Sequence, residues 1–405
     1  MSSLKLKVFL VYEELEYGVL LPNDVNYSNL VRYVKKKFKV GDANQISLSY
    51  NIGSISLNII DDDDVCFFVN EVSREEIKSF LFYMRVLIII AGAHLKGTYL
   101  GTNLVAVGMD GNNQIIPIAT GVSQGETSKS WTWFLRKLKD CIGKVPNLAI
   151  ISDKHYAITL ACNTVFPNLF HGYYCRHLMM NCSMQSDKFK ELYWKTCKVY
   201  TPEDFEKLMS DIHALRPNAH QKLVDAGIEK WSRAKCPVNR YNYMTSNNVE
   251  SINVLTKDVR KIPITSLMVW FRDLLQKWYY EHRQKYEDAP DDELTPWETA
   301  KIKYRSLKSS NWSVKGIIQY KIYEVRDNHR IHVVYLDKAE CTCQRWQLLG
   351  LPCGHVCAVA RVKGLTSVNY LAKPWFLNKT SKGTYEGLFF LVKDVSTWKI
   401  PYEIQ

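Results

Sequence analysis

The sequence predicts an α+β protein of several domains, with a small β-rich unit first, an α/β core next and a small cysteine- and histidine-containing module last. Three observations predict this architecture. Apolar and polar residues alternate with a period of two in short stretches of the first 71 residues, which is the pattern of half-buried strands. Strand and helix patterns alternate from residue 86 onward, as in a mixed α/β sheet. Two closely spaced pairs of cysteine and histidine residues follow residue 340, and 405 residues are enough for two or three domains.

The composition suits a nucleic-acid partner and a reducing compartment. The chain has 53 Lys and Arg residues against 41 Asp and Glu residues, a net charge of +12. Such a charge suits a polyanion, although many basic proteins carry it for solubility alone. The 11 cysteines are odd in number and the first residues lead into a strand pattern rather than a signal peptide. The longest apolar run, around residues 86–90, is far below the roughly 18 residues of a membrane helix, so we expect no membrane span.

Residues 1–71 predict a β-grasp-like unit. The expected elements are strands at residues 5–12, 17–21, 46–50 and 55–60, a basic helix at 29–38, and a further short strand at 65–69. An acidic run at 61–64 precedes that last strand. It indicates a solvated turn, with an acidic patch for a basic partner as the alternative.

The core is predicted over residues 84–260. Strands are expected at 86–90, on both sides of a tight turn at 110–113, at 148–152 and at 170–175, with helices at 128–141 and 156–165. A charged helical insertion is expected at about 185–235, where Thr201 and Pro202 begin one helix. The sheet is therefore predicted to combine antiparallel and parallel strands.

Three segments are predicted after the core. A helical connector spans 261–312 and includes a long amphipathic helix at about 265–286, followed by residues 287–296 with the composition of a linker. The cysteine- and histidine-containing module spans 313–375 and includes a hairpin pattern at 317–336. A tail spans 376–405.

Four residues of the module have the spacing of a zinc site. Cys341 and Cys343 form one pair, Cys353 and His355 form the other, and nine residues separate the two pairs. Zinc takes four sulfur or nitrogen ligands in a tetrahedron, and two ligand pairs on separate turns leave no open position. The sequence therefore predicts one structural zinc ion bound by these residues. Cys357 is a spare candidate that we assign to core packing.

The pattern of these ligands, together with Trp346, resembles the SWIM zinc finger. The resemblance implies a small ββα unit whose zinc is structural rather than catalytic, and which takes part in contacts with DNA or protein. For Trp346 itself, packing against the zinc core is the simpler expectation, and stacking on a base or partner is the alternative.

Segments of the core resemble the Mutator-like element transposases. These segments are residues 92–97, with the sequence Gly-Ala-His-Leu-Lys-Gly, and residues 106–114, 130–135, 151–153 and 248–253. The resemblance covers residues 84 to about 260. It implies an RNase H-like fold and divalent-metal-dependent cleavage and strand transfer of DNA by a DDE triad of carboxylates. Three carboxylates suit this chemistry because they hold two Mg²⁺ or Mn²⁺ ions with hard oxygen ligands.

One position of that triad lacks its acid. The resemblance places the second acid at Asp153 and the third at Glu250, whereas Ala91 occupies the position of the first. Because alanine has no oxygen to offer, we predict that DDE catalysis is lost. Taken without the resemblance, Asp153 is a helix cap and Glu250 a surface acid. Asp110, the nearest other acid in sequence, is predicted to belong to a tight turn rather than to replace the missing ligand.

A second departure from the family pattern occurs at residues 173–178. The family has Cys-Xaa-Xaa-His there, whereas this chain has Tyr174 at the cysteine position and a cysteine one residue later. A shift of one residue on a strand reverses the side-chain direction. We therefore predict that Cys175 is a buried thiol and His177 a structural histidine, with metal binding by the two as the alternative.

The first unit is similar to the β-grasp interaction domain of some plant Mutator-derived transposases, which implies a protein partner. The leading hypothesis is a catalytically silent, transposase-derived protein that binds DNA or chromatin in the nucleus. The alternatives are an active transposase with a substitute metal ligand and a protein-interaction module with incidental DNA contact. The basic residues considered for DNA contact are Lys35, Lys36, Lys37, Lys39, Lys301, Lys303, Arg305, Arg345, Arg361 and Lys363.

Overall fold

The structure is a computed structural model of the chain, and it divides into two compact units, Met1–Ser79 and Phe80–Gln405. It describes residues 5–12, 15–22, 26–41, 48–52, 55–59, 84–98, 100–143, 145–182, 186–241, 243–244, 251–252 and 254–387. The predicted acidic run at 61–64, the predicted strand at 65–69, Glu250 and most of the predicted tail lie outside these residues.

The first unit contains, within the described residues, two antiparallel strand pairs and one helix. The elements are β1 (Lys5–Tyr12) paired with β2 (Leu15–Pro22), α1 (Tyr27–Phe38), and β3 (Leu48–Ile52) paired with β4 (Ile55–Ile59). Asn26 caps the helix because its side chain accepts a hydrogen bond from the amide of Asn29 at 2.9 Å. Leu30 and Val34 are its buried residues. The elements agree with the strands and the helix predicted for residues 5–60.

A five-stranded mixed sheet forms the centre of the second unit. Its strands are β5 (Leu87–His94), β6 (Thr102–Met109), β7 (Ile115–Ser123), β8 (Ala149–Ser152) and β9 (Phe170–Tyr173). The spatial order is β7-β6-β5-β8-β9. The pairs β5–β6 and β6–β7 are antiparallel, and the pairs β5–β8 and β8–β9 are parallel. The prediction of a mixed α/β sheet is confirmed.

Helices cover both faces of this sheet. The helices α2 (Ser128–Ile142) and α3 (Tyr156–Val165) pack on the face that carries Ile88 and Ile90. The opposite face carries Leu87 and Ile89, and a long helix from the connector packs there. Each of these large apolar side chains contributes about 1.5 to 3 kcal/mol when it is fully buried. Successive side chains of β5 therefore point to opposite faces of the sheet, and both faces are buried.

A helical insertion follows β9. Its helices are α4 (Cys175–Asn181), α5 (Asp187–Lys198), α6 (Pro202–Leu215), α7 (Pro217–Asp225) and α8 (Ile228–Trp231). Thr201 caps α6, as predicted, and accepts a hydrogen bond from the amide of Asp204 at 3.3 Å. Trp231 is fully buried and stacks on Tyr193 with ring centroids 6.0 Å apart. The insertion thus has an apolar core of its own.

The connector consists of α9 (Ile264–Tyr286) and α10 (Pro296–Lys308). Between them, the residues with linker composition form a packed turn. The amide of Asn378 donates to the carbonyl of Glu293 at 2.8 Å, and Lys382 forms an ion pair with Asp291 at 2.8 Å. Asp291 and Glu293, which belong to the segment expected to be an open linker, therefore contact a helix far along the chain.

The module with the predicted zinc ligands contains a four-stranded antiparallel sheet and short helices. Its elements are β10 (Ser313–Ile318), β11 (Ile322–Arg326), β12 (Ile331–Tyr335), β13 (Glu340–Cys341), α11 (Arg345–Leu349) and α12 (Gly354–Val362), followed by α13 (Asn378–Thr384). The strands lie in sequence order. The module is therefore larger than the expected ββα unit, because two further strands flank the central hairpin.

A buried polar clamp joins the core to the connector. The guanidinium of Arg85 lies 3.2 Å from the carboxylate of Glu298, and both side chains are almost fully buried. The hydroxyl of Tyr385 donates to Asp110 at 2.7 Å. The aromatic rings around the guanidinium, with centroids at 5.0 to 5.8 Å, are those of Tyr241, Tyr243, Trp297 and Phe376.

Among the described residues, no helix is both long and apolar enough to cross a membrane.

Candidate metal centres

The four predicted zinc ligands lie together in the structure. Their ligand atoms are all within 4.8 Å of one another, and all four side chains are buried. Nδ1 of His355 lies 3.5 Å from Sγ of Cys341 and 3.7 Å from Sγ of Cys353. In a tetrahedral zinc site with ordinary bond lengths, sulfur and nitrogen ligands are about 3.6 Å apart. The donors present therefore fit a zinc ion.

Local backbone geometry positions the two ligand pairs. Cys341 is the last residue of β13. The side-chain amide of Gln347 forms two hydrogen bonds with its backbone: it donates to the carbonyl of Cys341 at 3.0 Å and accepts from the amide of Cys341 at 3.2 Å. Gln344 adopts a left-handed conformation with φ of 61°, which turns the chain after the first pair. Cys353 is the residue before the first turn of α12, so that His355 lies in that turn.

Aromatic residues enclose the cluster. Trp312 stacks on the ring of His355 with centroids 4.8 Å apart, and a Cβ on Gly354 would come within 2.9 Å of the same indole, so this close approach requires glycine. Trp346 is buried and donates its indole N–H to the carbonyl of Leu371 at 2.9 Å. The prediction that Trp346 packs against the zinc core is confirmed. Cys357 is buried outside the four-residue cluster, which agrees with its assignment to core packing.

The thiols of the cluster influence one another. Hydrogen bonds from the two neighbouring thiols lower the pKa of Cys343, whereas burial raises the pKa of Cys353. The thiols therefore titrate as a coupled group rather than independently. Because zinc binds thiolates, loading the site with zinc releases the remaining protons and becomes more favourable as the pH rises.

The candidate carboxylate site lies where β5 and β8 diverge. The two strands are parallel, with Leu87 opposite Ala149 and Ile89 opposite Ile151. Ala91 lies two residues beyond the last of these pairs, and Asp153 is the first residue after β8. The structure thus places two of the three predicted triad positions near the same ends of two neighbouring parallel strands. The third, Glu250, lies outside the described residues.

Asp153 is paired with a histidine. Its Oδ1 lies 2.6 Å from Nδ1 of His177, and about two fifths of each side chain is exposed. Cys175 points elsewhere: it is fully buried and donates its thiol to the carbonyl of Trp231 at 3.2 Å. Cys175 and His177 are therefore not brought together. The sequence did not predict that His177 pairs with Asp153, the residue assigned as the second acid of the predicted triad.

Tyr174, which replaces the cysteine of the family pattern, reaches the position of the missing acid. Its ring belongs to the buried cluster against which Ala91 packs. Its hydroxyl donates to the carbonyl of Ile90 at 3.1 Å, one residue before Ala91. The hydroxyl thus satisfies a carbonyl that lies beyond the last paired residue of β5 and β8. The two departures from the family pattern meet at one place.

Two other acids lie near β5, one beyond its opposite end and one on its opposite face. Asp110 lies beyond the opposite end, because Ala91 pairs with Val105 and the five residues from Val105 to Asp110 amount to roughly 17 Å of strand. Its Oδ1 accepts from the amide of Gln114 at 2.6 Å, which confirms the predicted tight turn. The carboxylate of Glu126 lies against Gly92, where a Cβ would come within 2.6 Å of it. Gly92 faces the side of the sheet opposite to Ala91.

The basic residues of the connector have structural contacts. Nζ of Lys301 lies 3.0 Å from the ring centroid of Trp297, and burial lowers its pKa to about 8. Arg305 donates to the carbonyl of Leu351 at 3.1 Å. Lys303 is exposed, and the exposed lysines at the end of α1 are Lys36, Lys37 and Lys39. Lys301 and Arg305 are therefore weaker candidates for phosphate contact than the sequence suggested.

The basic residues near the zinc cluster contact aromatic rings or a backbone carbonyl. The guanidinium of Arg345 lies 5.1 Å from the ring centroid of Tyr200 in the helical insertion. Arg361 donates to the carbonyl of Trp312 at 2.9 Å. Nζ of Lys363 lies 4.0 Å from the ring centroid of Tyr320. Both arginines remain exposed.

The chain thus combines a mixed-sheet core with a module that contains a buried cluster of three cysteines and one histidine. Comparison with known proteins agrees. Residues 87–181 match the MULE transposase domain, and residues 332–364 match the SWIM zinc finger. The resemblance to Mutator-like transposase-derived proteins with a SWIM-type finger is confirmed. The match and the cluster together indicate zinc as the metal.

A plant protein is also similar to this chain. The chain is 21% identical over 323 residues to Protein FAR1-RELATED SEQUENCE 5 of Arabidopsis thaliana. The match covers 69% of this chain and 41% of the relative, so the chain spans about two fifths of the relative's length. A chain from the cryoEM structure of the simian T-cell lymphotropic virus intasome in complex with PP2A regulatory subunit B56 gamma aligns with 40% of this chain and 57% of its own length, at 13% identity and a TM-score of 0.19. That score is too low to indicate a shared fold.

Proposed function

We propose that this chain is a zinc-binding, transposase-derived protein that binds DNA in the nucleus and has lost DDE catalysis. One structural zinc ion is bound by Cys341, Cys343, Cys353 and His355. The loss of catalysis rests on one observation: Ala91, which follows the last paired residues of β5 and β8, has no side-chain oxygen. No Mg²⁺ or Mn²⁺ ion is then held between the two strands, because the ligand that would bridge two ions has no oxygen. The nuclear location rests on the family resemblance and the basic charge.

The proposal includes an RNase H-like core and a β-grasp-like first unit. The order β7-β6-β5-β8-β9, with β6 antiparallel to β5 and β8 parallel to it, supports the first assignment. Two strand hairpins and a helix support the second. The domains are those expected from the sequence, with boundaries at residues 71, 84, 260, 312 and 375. The first unit is then the site for a protein partner.

Tyr174 strengthens the case against catalysis. A restored carboxylate at position 91 would share a buried cluster with this ring and would lose hydration there. The Asp153 carboxylate is also engaged with His177, which occupies one of its oxygens. Both features support a site in which Tyr174 and the Asp153–His177 pair contribute to packing and no divalent metal is bound.

We assign the DNA contact to the basic residues near the zinc cluster. Arg345 and Arg361 are each positioned by one intramolecular contact and remain exposed. A guanidinium has five N–H donors in a planar fork, so an arginine held by a single contact keeps donors for phosphate. A side chain that is already ordered also loses less conformational freedom on binding. Lys363 adds a positive charge beside Arg361.

The test is a titration of the zinc-loaded chain with a labelled duplex of random sequence, followed by fluorescence anisotropy at several salt concentrations. The affinity should fall as salt rises, with a slope of about 0.9 in the logarithmic plot for each phosphate contacted. Arg345→Ala and Arg361→Ala should each lower that slope by about one. Lys338→Ala removes one exposed charge from another turn of the same module and serves as the control. No binding at low salt would contradict the proposal.

One observation favours a second candidate, a module that binds protein. Ile317, Ile318 and Tyr320 are largely exposed at the outer hairpin of the zinc module, where β10 is an edge strand. Exposed apolar side chains on an edge strand are typical of protein interfaces. Duplex binding that does not weaken as salt rises would support this candidate. So would duplex binding that is lost in Ile317→Ser but kept in the arginine variants.

A further inference from the structure

We propose that Asp327 is a positioning residue of the zinc site, which holds His355 in the tautomer that leaves Nδ1 for the metal. This inference rests on the proposed zinc site and adds a residue outside the four ligands. Asp327 lies directly after β11, 28 residues before the histidine. Neither family match nor ligand spacing points to it.

The two oxygens of Asp327 have separate partners. Oδ1 accepts hydrogen bonds from the amides of His329 at 2.7 Å and Arg330 at 2.6 Å, which closes the turn between β11 and β12. Oδ2 faces the ring of His355 and lies 3.4 Å from its Nε2. The turn therefore fixes the carboxylate, and the fixed carboxylate presents one oxygen to the histidine.

The chemistry of imidazole determines which group donates the hydrogen bond in this contact. Nδ1 of His355 faces Cys341 and Cys353, so zinc would bind that nitrogen. A neutral imidazole bound to a metal through Nδ1 carries its proton on Nε2. That proton points at a carboxylate oxygen of Asp327, which accepts it as a hydrogen bond. A carboxylate on the far nitrogen orients the ring and makes the ligating nitrogen more basic.

Two aromatic rings restrict the plane of the same imidazole. Trp312 stacks on His355 at 4.8 Å with an interplanar angle of 29°, and the ring of His332 lies 4.2 Å away. Nδ1 of His332 is 3.1 Å from the hydroxyl of Thr342, and its Nε2 is 3.9 Å from Oδ2 of Asp327. The rings limit tilting of the imidazole, and the carboxylate selects which nitrogen carries the proton.

Asp327→Asn separates the two roles of this side chain. The amide oxygen still accepts from the two turn amides, but the amide nitrogen then faces Nε2 of His355 as a donor. A donor at that position favours the tautomer with the proton on Nδ1, which cannot bind zinc. Turning the amide over would point its N–H groups at the turn amides and lose both hydrogen bonds. We expect a 10- to 100-fold loss of zinc affinity.

The experiment measures zinc affinity of the full chain by competition with a chromophoric chelator. Asp337→Asn is the matched control, because Asp337 lies in the next turn and its side chain accepts a hydrogen bond from the amide of Lys338 at 3.0 Å. The control should bind zinc as tightly as the native chain. Slow hydrogen exchange at the amides of residues 329 and 330 would establish that the turn survives in Asp327→Asn.

A second readout follows the tautomer directly. Nitrogen-15 NMR of the zinc-loaded native chain should show the proton of His355 on Nε2. The inference is overturned if Asp327→Asn binds zinc within twofold of the native chain, or if the proton resides on Nδ1. A native chain that binds no zinc would instead overturn the proposed zinc site, so the two failures are distinguishable.

Discussion

The zinc cluster and the carboxylate site are built on different scales. The four zinc ligands lie within 15 consecutive residues, and a short strand, a turn and the start of one helix bring them together. The proposed triad positions lie between residues 91 and 250, and the first two are near each other in the fold only because β5 and β8 are neighbours in the sheet. The zinc cluster is buried, whereas Asp153 of the proposed triad is partly exposed and Ala91 offers no oxygen.

The difference has an energetic reason. The zinc module has a small apolar core around its ligands, so metal binding supplies much of its folding free energy. The mixed sheet has large apolar clusters on both faces, so we expect it to fold without a metal. Under the proposed function, losing a zinc ligand would unfold the module, whereas replacing an acid at position 91 would remove only an activity.

The largest expected effect comes from the complete site. Cys353→Ser should lower bound zinc from one equivalent to near none and unfold residues 313–375, because structural zinc contributes about 10 kcal/mol or more to small modules. Atomic absorption measures the zinc, and hydrogen exchange measures the unfolding. Cys357→Ser is the control, since this buried thiol is outside the cluster. A full equivalent of zinc in Cys353→Ser would contradict the assignment of Cys353 as a zinc ligand.

A smaller effect is expected at the clamp between the core and the connector. Arg85→Met leaves Glu298 buried with Lys301, at 3.6 Å, as its remaining ion-pair partner, and burial already raises the pKa of Glu298. We expect a loss of about 3 kcal/mol in the free energy of unfolding. Replacing both Arg85 and Glu298 by methionine should recover most of it. Urea denaturation checks this, and a loss below about 1 kcal/mol in Arg85→Met would show that the clamp does not stabilise the unit.

A still smaller effect is expected where the zinc module meets the helical insertion. Arg330 forms two hydrogen bonds with Asp204, at 2.8 and 3.1 Å, and these lower the pKa of Asp204 below its usual 3.8. A lowered carboxyl pKa stabilises the fold above pH 3.8, and the contribution is lost as the pH falls through the folded-state pKa. Arg330→Ala should cost about 1 kcal/mol at neutral pH and nothing in strong acid. An equal cost at both pH values would argue against the ion pair.

The smallest effect is expected at the incomplete site. His177→Ala removes the partner of Asp153, but both side chains are partly exposed, so the free energy of unfolding should change by less than about 1 kcal/mol. Urea denaturation measures the change. A loss of several kcal/mol would mean that the remnant acid has become part of the stability of the core, and would weaken the contrast between the sites.

Sequence reasoning reached the features that depend on neighbouring residues. Periodicity predicted the strands and helices of the core, and ligand spacing predicted which residues gather around zinc. It did not reach contacts that depend on the assembled fold. Glu298 is 213 residues from Arg85, and the hydroxyl of Tyr174 meets a carbonyl 84 residues earlier. Asp327 was missed because only the turn after β11 brings it to His355.

The most direct test of the account is a calorimetric titration of the zinc-loaded chain with Mn²⁺. The native chain is compared with the double variant Ala91→Asp and Tyr174→Cys, which restores the acid and removes the ring beside it. Asp153→Asn added to that double variant is the control. The account predicts no binding to the native chain, tight binding to the double variant and loss of binding in the control. Equal binding to the native chain and the double variant would contradict it, because another acid would then complete the site.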